Sequence, residues 1–279
     1  MSRPEKLGRI LFDAGKIDES GIERVAQLQA AEDLPFGEAA MRLSLITAEE
    51  LRTALACQFG YPGATPDLMA LSPEVVVAHR PTDACAEEIR TLRTQLLVRW
   101  QNDSRSRRCV AIVSPERGEG RSYVAANLAV ALAQAGDRTL LIDADLRSPR
   151  QHRIFNLSNR VGLATVLAGH AEQGAVQQVS GFGTLSVLPA GPQPPNPQEL
   201  LLRPAFAALL DRVMPVFDVV LIDTPAAFSC ADAQGVATRA GSALLVARKD
   251  RTRVAGVVGL AGQLHDDGTP VLGMLYNAF

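Results

Sequence analysis

The 279-residue sequence has few cysteines, and their spacing excludes two common kinds of small-protein framework. The four cysteines form no C-x-x-C pair and no cluster with histidine; they are Cys57, Cys85, Cys109 and Cys230. This spacing argues against a structural zinc site and against a disulfide framework. We therefore expect free thiols in a reducing compartment.

The sequence also lacks an excess of either charge and any long apolar run. Its 28 basic and 30 acidic residues give a net charge of −2, so nothing predicts nonspecific binding to nucleic acid or to an anionic membrane. Residues 1–16 are too polar for a signal peptide, and no run approaches the roughly 18 apolar residues of a membrane span. We expect a cytoplasmic protein that reaches the membrane only through a partner.

Residues 1–60 contain an internal repeat, in which a residue of the first copy matches one 29 positions later. The matched pairs are Gly8/Gly37, Gly15/Ser44, Ile22/Leu51, Ala26/Leu55 and Gln29/Gln58. In the second copy, Thr47 to Glu50 has the pattern of a capping box before apolar residues at helical spacing. The pattern predicts a small helical domain of two helix-loop-helix units over residues 1–60.

Residues 61–82 contain four prolines, which exclude a long helix and predict a proline-rich linker. From residue 83 a helix is predicted over Asp83–Trp100, and it opens a second domain over 83–279. One face of that helix carries Glu87, Arg90 and Arg93.

From Cys109 onward, short apolar runs alternate with helical stretches. The predicted strands are Cys109–Val113, Thr139–Ile142, Thr184–Leu188, Val219–Ile222, Ala243–Ala247 and Val271–Leu275. The predicted helices between them are Ser122–Ala135, Gln198–Val213, Asp232–Ala240 and Thr252–His265. Because the strands are continuously apolar, both faces of the sheet must be covered. The sequence therefore predicts an α/β fold with a doubly wound, mostly parallel sheet.

A glycine-containing loop follows the first of these strands and precedes a helix. Its glycines let backbone N–H groups turn toward phosphate oxygens, and the helix start adds its positive end. A hydroxyl at Ser122 suits Mg²⁺. We predict that nucleotide phosphates bind the loop residues Gly118, Glu119, Gly120, Arg121, Ser122 and Tyr123.

Three aspartates follow two other predicted strands: Asp143, Asp145 and Asp223. Ligands bind at the carboxyl ends of parallel strands, where such carboxylates can hold Mg²⁺ and orient a nucleophile. We predict Ser122, Asp143 and Asp223 as metal ligands, and Arg121 with the three aspartates as catalytic residues. For any one aspartate alone, a helix cap or a turn is an equally good interpretation.

Residues from about 85 to 279 resemble the kinase domain of bacterial tyrosine kinases, a branch of the deviant-Walker P-loop ATPases. The loop from Gly118 to Ser122 is similar to their Walker A motif, Leu141–Arg147 to Walker A′ and Val220–Pro225 to Walker B. The proline-rich segment Leu188–Pro197 is similar to one peculiar to this family. The resemblance implies ATP and Mg²⁺ as ligands, protein-tyrosine phosphorylation, and a role in exopolysaccharide or capsule assembly.

The same resemblance implies partners. Glu87, Arg90 and Arg93 match an E-x-x-R-x-x-R helix that such kinases use for ring assembly, so it implies a homo-oligomer in the nucleotide-bound state. A solvated helix face with local ion pairs is the other interpretation. The family resemblance further implies a partner, a transmembrane polysaccharide co-polymerase or chain-length determinant. This partner would recruit the protein peripherally to the inner membrane.

The N-terminal repeat resembles the small domain at the front of type II secretion and pilus ATPases, some of which bind cyclic di-GMP. Together the two resemblances point to an EpsG-like group of exopolysaccharide kinases. The second repeat copy departs from the motif at Pro35 and Ser44. Cyclic di-GMP binding and protein docking are therefore both open interpretations of this domain.

The kinase-like part departs from the family at its P-loop lysine, which is Arg121 here. An arginine is a wide planar fork, whereas a lysine is a compact point charge. Three hypotheses follow: an active tyrosine kinase in which Arg147 steadies the site, a nucleotide-binding regulator without catalysis, and a partitioning-type ATPase. The proline-rich segment argues against the third.

Overall fold

The computed structural model describes residues 7–58, 68, 70–102, 108–170 and 173–278. The chain divides into two compact units, Met1–Pro66 and Asp67–Phe279. Within the described residues, no helix has both the length and the apolar character needed to cross a membrane.

The N-terminal unit consists, in its described part, of helices whose positions follow the repeat. These are α1 (Leu7–Asp13), α2 (Glu19–Glu32), α3 (Phe36–Arg42) and α4 (Ala48–Gln58). The turns after α1 and α3 use equivalent residues, Gly15 and Ser44, with φ of 66° and 55°. Each of these left-handed residues lets the chain reverse into the next helix.

Local hydrogen bonds start the two longer helices. The Asp18 carboxylate caps α2 by accepting from the Gly21 N–H at 2.7 Å. The predicted capping box is confirmed, because the Thr47 N–H donates to Glu50 Oε2 at 2.9 Å and the Glu50 N–H donates to Thr47 Oγ1 at 3.2 Å. Beneath these caps the unit buries a small aliphatic core of Leu11, Ile17, Val25, Ala39, Ala40, Ile46 and Ala54.

The second unit is built on a seven-stranded sheet with the order β3-β4-β2-β5-β1-β6-β7. In chain order the strands are Cys109–Val113, Thr139–Asp143, Gln177–Gln178, Leu185–Leu188, Val219–Asp223, Ala243–Arg248 and Val271–Asn277. All neighbouring strands pair in parallel except β3 and β4. The predicted α/β class and mostly parallel sheet are confirmed.

Helices cover both faces of this sheet and enclose an apolar core on each. They are α5 (Val76–His79), α6 (Ala84–Asn102), α7 (Arg121–Gln134), α8 (Gln151–Ile154), α9 (Leu163–Leu167), α10 (Pro197–Leu202), α11 (Pro204–Val213), α12 (Asp232–Ala240) and α13 (Val254–Asp266). Helix α7 is buried along most of its length, since small side chains such as Ala125, Ala126 and Ala129 let it lie close to the strands.

The predicted linker over 61–82 is wrong in its C-terminal half. Residues 61–67 lie outside the described residues, but Leu71, Val75 and Val77 are buried in the core of the second unit. These apolar side chains bury more surface by packing on α7 than an extended linker would allow. The second unit therefore begins before residue 83.

The predicted helix Gln198–Val213 is two helices, α10 and α11. Arg203 between them is extended, with φ −62° and ψ 151°, and Pro204 occupies the first turn of α11. A proline has no N–H to continue α10 and forces the preceding residue out of helical geometry.

Candidate functional site

The glycine loop lies at the carboxyl edge of the sheet, between the end of β1 and the start of α7. Gly118 and Gly120 both have positive φ, at 78° and 98°. That conformation turns successive N–H groups to one side of the chain and makes a concave donor surface beside the helix start. The loop thus has the backbone shape that anion binding requires.

The ends of β2 and β5 bring two of the predicted aspartates together beside this loop. The strands pair in parallel with Asp143 opposite Asp223, and both carboxyl groups are buried. Burial raises the pKa of Asp143 well above its usual range, and the neighbouring Asp223 raises it further. Two buried acids opposite each other on paired strands each disfavour the ionised form of the other, so a cation beside them would stabilise the ionised pair.

Asp223 has one satisfied and one unsatisfied oxygen. Its Oδ2 accepts from Gln151 Nε2 at 2.8 Å, whereas its buried Oδ1 has no hydrogen-bond partner among the described residues. Burial raises the pKa of Asp223 to about 6, although hydrogen bonds from Gln151 and from the Ser122 hydroxyl oppose the shift. An unsatisfied carboxylate oxygen next to Ser122 is a place where a ligand belongs.

The other two oxygens of the pair are already used by the chain. Asp143 Oδ1 accepts from the Asp145 N–H at 3.2 Å, and its Oδ2 accepts from the N–H groups of Arg150 and Gln151, each at 3.0 Å. Asp143 therefore shapes the loop after β2 and the start of α8. Because its oxygens are engaged, it is less available than Asp223 as a direct metal ligand.

Asp145 stands farther from the interior and is partly exposed. Its Oδ1 accepts from the N–H of Arg147 at 3.2 Å and from that of Ser148 at 2.8 Å. The carboxyl group is thus held in one orientation at the mouth of the site, where it can meet a substrate hydroxyl.

Arg121 points inward, and the residue is only 8% exposed. Its Nε donates to the Thr224 carbonyl at 2.9 Å, and its Nη1 donates to the Glu116 carbonyl at 2.7 Å and to Ser114 Oγ. Burial lowers the pKa of Arg121, while the nearby Asp223, Asp145 and Glu119 raise it. The guanidinium therefore links the phosphate loop to the segment after β5.

Two predicted phosphate-binding residues use their side chains for other purposes. Glu119 is fully buried, accepting from the Glu116 N–H at 2.8 Å and from the Thr252 hydroxyl. Tyr123 packs against the apolar core, and burial raises its pKa to about 12. Only the backbone of these two residues remains suited to the predicted role.

Arg147 is engaged with an acid that the sequence analysis did not select. Its Nε lies 2.9 Å from Oδ2 of Asp232, a fully buried residue at the start of α12. The pair anchors the loop after β2 to α12, so Arg147 contributes to the site by fixing that loop.

The predicted oligomerisation residues differ in exposure. Glu87 is 70% exposed, whereas Arg90 is 16% exposed and donates to Glu87 Oε2 and to the Pro81 carbonyl. Arg93 Nη1 donates to the Ala131 carbonyl at 3.0 Å and so joins α6 to α7. Of the three, Glu87 presents the most accessible side chain.

The residues present fit a nucleotide with Mg²⁺. Among those that the structure describes, no group of three or more His, Cys, Asp or Glu side chains is arranged to hold a metal ion. Mg²⁺ in nucleotide sites, however, takes one or two protein oxygens together with phosphate oxygens and water. The open oxygen of Asp223 and the Ser122 hydroxyl meet that requirement beside the donor surface of the loop.

Several polar residues around the loop were missed by the sequence analysis. Gln151 joins three parts of the site, and Arg248 Nη1 donates to the Gly118 carbonyl at 3.0 Å. A Cβ added at Gly118 would lie 3.1 Å from Arg251 Nη1, so this guanidinium also flanks the loop. The arginine-rich run from Arg248 to Arg253, just after a strand, was the available signal.

Comparison with known proteins matches the chain to P-loop NTPases and to bacterial tyrosine kinases. The ParA model, described as a NUBPL iron-transfer P-loop NTPase, matches residues 105–186. The tyrosine-protein kinase YwqD of Bacillus subtilis is 39% identical over 178 residues, covering 64% of this chain and 74% of that protein. EpsB of Ralstonia solanacearum is 36% identical over 198 residues, which are 71% of this chain. This match covers 26% of EpsB, so the chain spans about a quarter of that relative's length.

Solved structures agree. The kinase domain of the Escherichia coli tyrosine kinase ETK has a TM-score of 0.68 with this chain at 31% sequence identity. The match covers 75% of this chain and 81% of that domain.

Proposed function

Because the chain belongs to the bacterial tyrosine-protein kinase family, we propose that it binds ATP with Mg²⁺ and transfers the γ-phosphoryl group to a tyrosine hydroxyl. The observation that supports this most directly is the unsatisfied, buried Oδ1 of Asp223 beside Ser122. It lies at the edge of a loop whose positive-φ glycines suit phosphate.

Each residue has a distinct part in this proposal. The backbone N–H groups from Gly118 to Ser122 hold the phosphates, and Ser122 with Asp223 holds the cation. Bound Mg²⁺ neutralises charge that develops on the transferred phosphoryl group. Asp145, oriented at the mouth of the site, accepts the proton of the attacking tyrosine hydroxyl. Asp143 keeps the loop after β2 in place through its three N–H donors.

A second candidate is a regulator that binds nucleotide without transferring phosphate. It is favoured by the engagement of Arg121, whose guanidinium donates to two carbonyls and a hydroxyl and is nearly buried. A side chain held in this way must break those bonds before it can follow a moving phosphoryl group. In this candidate, nucleotide occupancy changes assembly or docking instead of chemistry.

Transfer of labelled phosphate from ATP to tyrosine, in the wild type and in Arg121→Lys, separates the two candidates. If the protein is an active kinase, the wild type transfers labelled phosphate to tyrosine. Label only in Arg121→Lys supports the regulator, and no label in either, with nucleotide binding intact, also excludes the kinase. Arg138→Lys is the matched control, since Arg138 forms an exposed pair with Asp218 away from the loop.

We also propose an exopolysaccharide or capsule role with a transmembrane polysaccharide co-polymerase, on the strength of the family resemblance alone. Homo-oligomer formation through the face of Glu87, Arg90 and Arg93 belongs to the same proposal. Sedimentation with Mg²⁺ and ATP tests it, because replacing Glu87 with Ala is expected to reduce assembly without unfolding α6. Partitioning-type activity is the less favoured alternative: the ParA model matches residues 105–186, but YwqD and the ETK domain, which match over more of the chain, are tyrosine kinases.

For the N-terminal unit we propose cyclic di-GMP as a ligand. The supporting feature is an open cavity of about 520 Å³ lined by Gly8, Arg9, Phe12, Asp13, Glu19, Ile22 and Phe36. Its aromatic rings suit a base, and Arg9, which forms an exposed pair with Asp13 at 3.7 Å, can turn from that pair to a phosphate. Calorimetric titration with cyclic di-GMP decides between this ligand and protein docking, since absence of binding leaves only docking.

A further inference from the structure

Gln151, the first residue of α8, connects three parts of the site. Its side chain is fully buried, and its Nε2 lies 2.8 Å from Asp223 Oδ2 and 3.1 Å from the Ser122 carbonyl. Its backbone N–H also donates to Asp143 Oδ2 at 3.0 Å. One residue therefore contacts the end of β5, the start of α7 and the end of β2.

The orientation of the Gln151 amide follows from its neighbours. Nε2 faces a carbonyl oxygen and a carboxylate oxygen, and both can only accept. A flipped amide would place Oε1 against these two oxygens and repel them. The Oε1 atom is thus fixed on the other side, where it is buried and has no partner among the described residues.

Two buried acceptors without donors therefore lie on adjoining residues, Gln151 Oε1 and Asp223 Oδ1. Buried acceptors are nearly always satisfied in folded proteins, so this pair indicates that partners arrive with a ligand: a cation for Asp223 Oδ1 and a hydrogen-bond donor for Gln151 Oε1. The water molecules in the coordination shell of a divalent cation are such donors, and outer-shell acceptors of this kind orient metal sites.

We propose that Gln151 is a positioning residue for the magnesium–nucleotide complex. The side-chain Nε2 of Gln151 donates to Asp223 and to the Ser122 carbonyl, and so holds Asp223 against the start of α7. Its Oε1 would accept a hydrogen bond from a water molecule bound to the cation. This inference rests on the proposed function, and it adds a residue outside the recognised motifs of the site.

Calorimetric titration of the full chain with ADP, with and without Mg²⁺, tests the role of Gln151. The variant Gln151→Met keeps the length of the side chain and removes both polar atoms. We expect the gain in ADP affinity that Mg²⁺ provides to fall by about 10- to 100-fold, with the affinity in EDTA unchanged. ADP avoids turnover, so the readout does not depend on kinase activity.

The matched control is Gln134→Met. Gln134 lies at the far end of α7, donates to the Val77 carbonyl, and also has a buried Oε1 without a partner. Loss of a buried amide in general thus affects both variants, whereas loss of magnesium positioning affects only Gln151→Met. Thermal unfolding of both variants identifies any loss of folding, and Gln151→Asn replaces Gln151→Met should the latter not fold.

The outcomes are distinct. An unchanged magnesium gain in Gln151→Met overturns the inference and leaves the proposed function standing. Equal losses with and without Mg²⁺ show a packing role and overturn it as well. Failure of the wild type to bind ADP at all overturns the proposed function, and the inference with it.

Discussion

The two units of the chain place their polar groups in opposite ways. In the described part of the N-terminal unit, charged side chains form exposed pairs such as Arg9–Asp13 and Lys16–Glu50, and the core is aliphatic. In the second unit, buried polar and charged side chains concentrate around one loop. Those at the site are Ser114, Glu119, Arg121, Asp143, Gln151, Asp223 and Thr224.

This difference shows where the fold accepts an energetic cost. A buried ionisable group costs free energy unless it is paired, and the N-terminal unit avoids that cost by building on caps and turns. The second unit places carboxylates in its interior at the carboxyl edge of the sheet, where a ligand can offset the cost. Buried polarity therefore marks the functional edge of the second unit.

The largest expected effect concerns Asp223. Its pKa is raised from 3.8 to about 6 in the folded protein, so the folded state binds this proton more tightly than the unfolded chain. The contribution of Asp223 to the free energy of unfolding should therefore fall as pH rises from about 4 to about 6, and stay level above. Asp223→Asn has no such charge to desolvate, and without Mg²⁺ it should become the more stable form by about 3 kcal/mol at neutral pH.

Urea unfolding of the wild type and Asp223→Asn at several pH values between 4 and 8, in EDTA, measures this difference. Titration of carboxyl groups away from the site is common to both proteins and cancels in the comparison. The pKa of Asp143 falls in Asp223→Asn, because the neighbouring charge that raises it is removed. Stability curves that stay parallel across this range would mean that the pKa of Asp223 is not raised in the folded protein. Buried polarity would then be a weaker difference between the two units.

The second prediction compares the two ends of α7. Gly120 and Gly136 flank this helix with φ of 98° and 97°, so an added Cβ strains both positions alike. We expect Gly120→Ala and Gly136→Ala to lose similar stability, about 1–2 kcal/mol each. Only Gly120→Ala should also weaken ADP binding, by about 10- to 100-fold, because the N–H groups that face phosphate shift.

Calorimetric titration and thermal unfolding of the two variants provide the two readouts. Equal ADP affinities in both would contradict a phosphate role for this loop. A loss of affinity in Gly136→Ala as well would point to general loosening of α7, and so against a local site.

Much of the second unit was predictable because its strands are continuous apolar runs. Each of the six predicted strands lies within two residues of its observed bounds, whereas the missed strand, Gln177–Gln178, is short and polar. A two-residue pairing gives no periodic pattern to read. Pro204 indicated a break at Arg203. A single helix was predicted because apolar residues continue at helical spacing on both sides of this position.

The candidate site was predictable to the extent that it depends on backbone position. The glycines and the three aspartates follow strands, so sequence order placed them at one edge. The direction of side chains was not predictable, since Glu119 and Tyr123 turn inward into contacts formed with Thr252 and the apolar core. Gln151 gave no signal because its contacts with Asp143, Ser122 and Asp223 join residues that are 8, 29 and 72 positions away in the sequence.

The smallest expected effect tests whether the N-terminal unit is governed by local geometry. Ser44 and Gly15 occupy equivalent turns: each N–H donates to the carbonyl three residues earlier, at 2.9 and 2.8 Å, and each φ is positive. A serine costs more than a glycine in this conformation, by about 1 kcal/mol. Ser44→Gly should therefore stabilise the unit by about 0.5–1 kcal/mol, and Gly15→Ser should destabilise it by a similar amount. Thermal unfolding of the full chain followed by circular dichroism measures both, and equal midpoints for the two variants would show that contacts outside the turns control this unit.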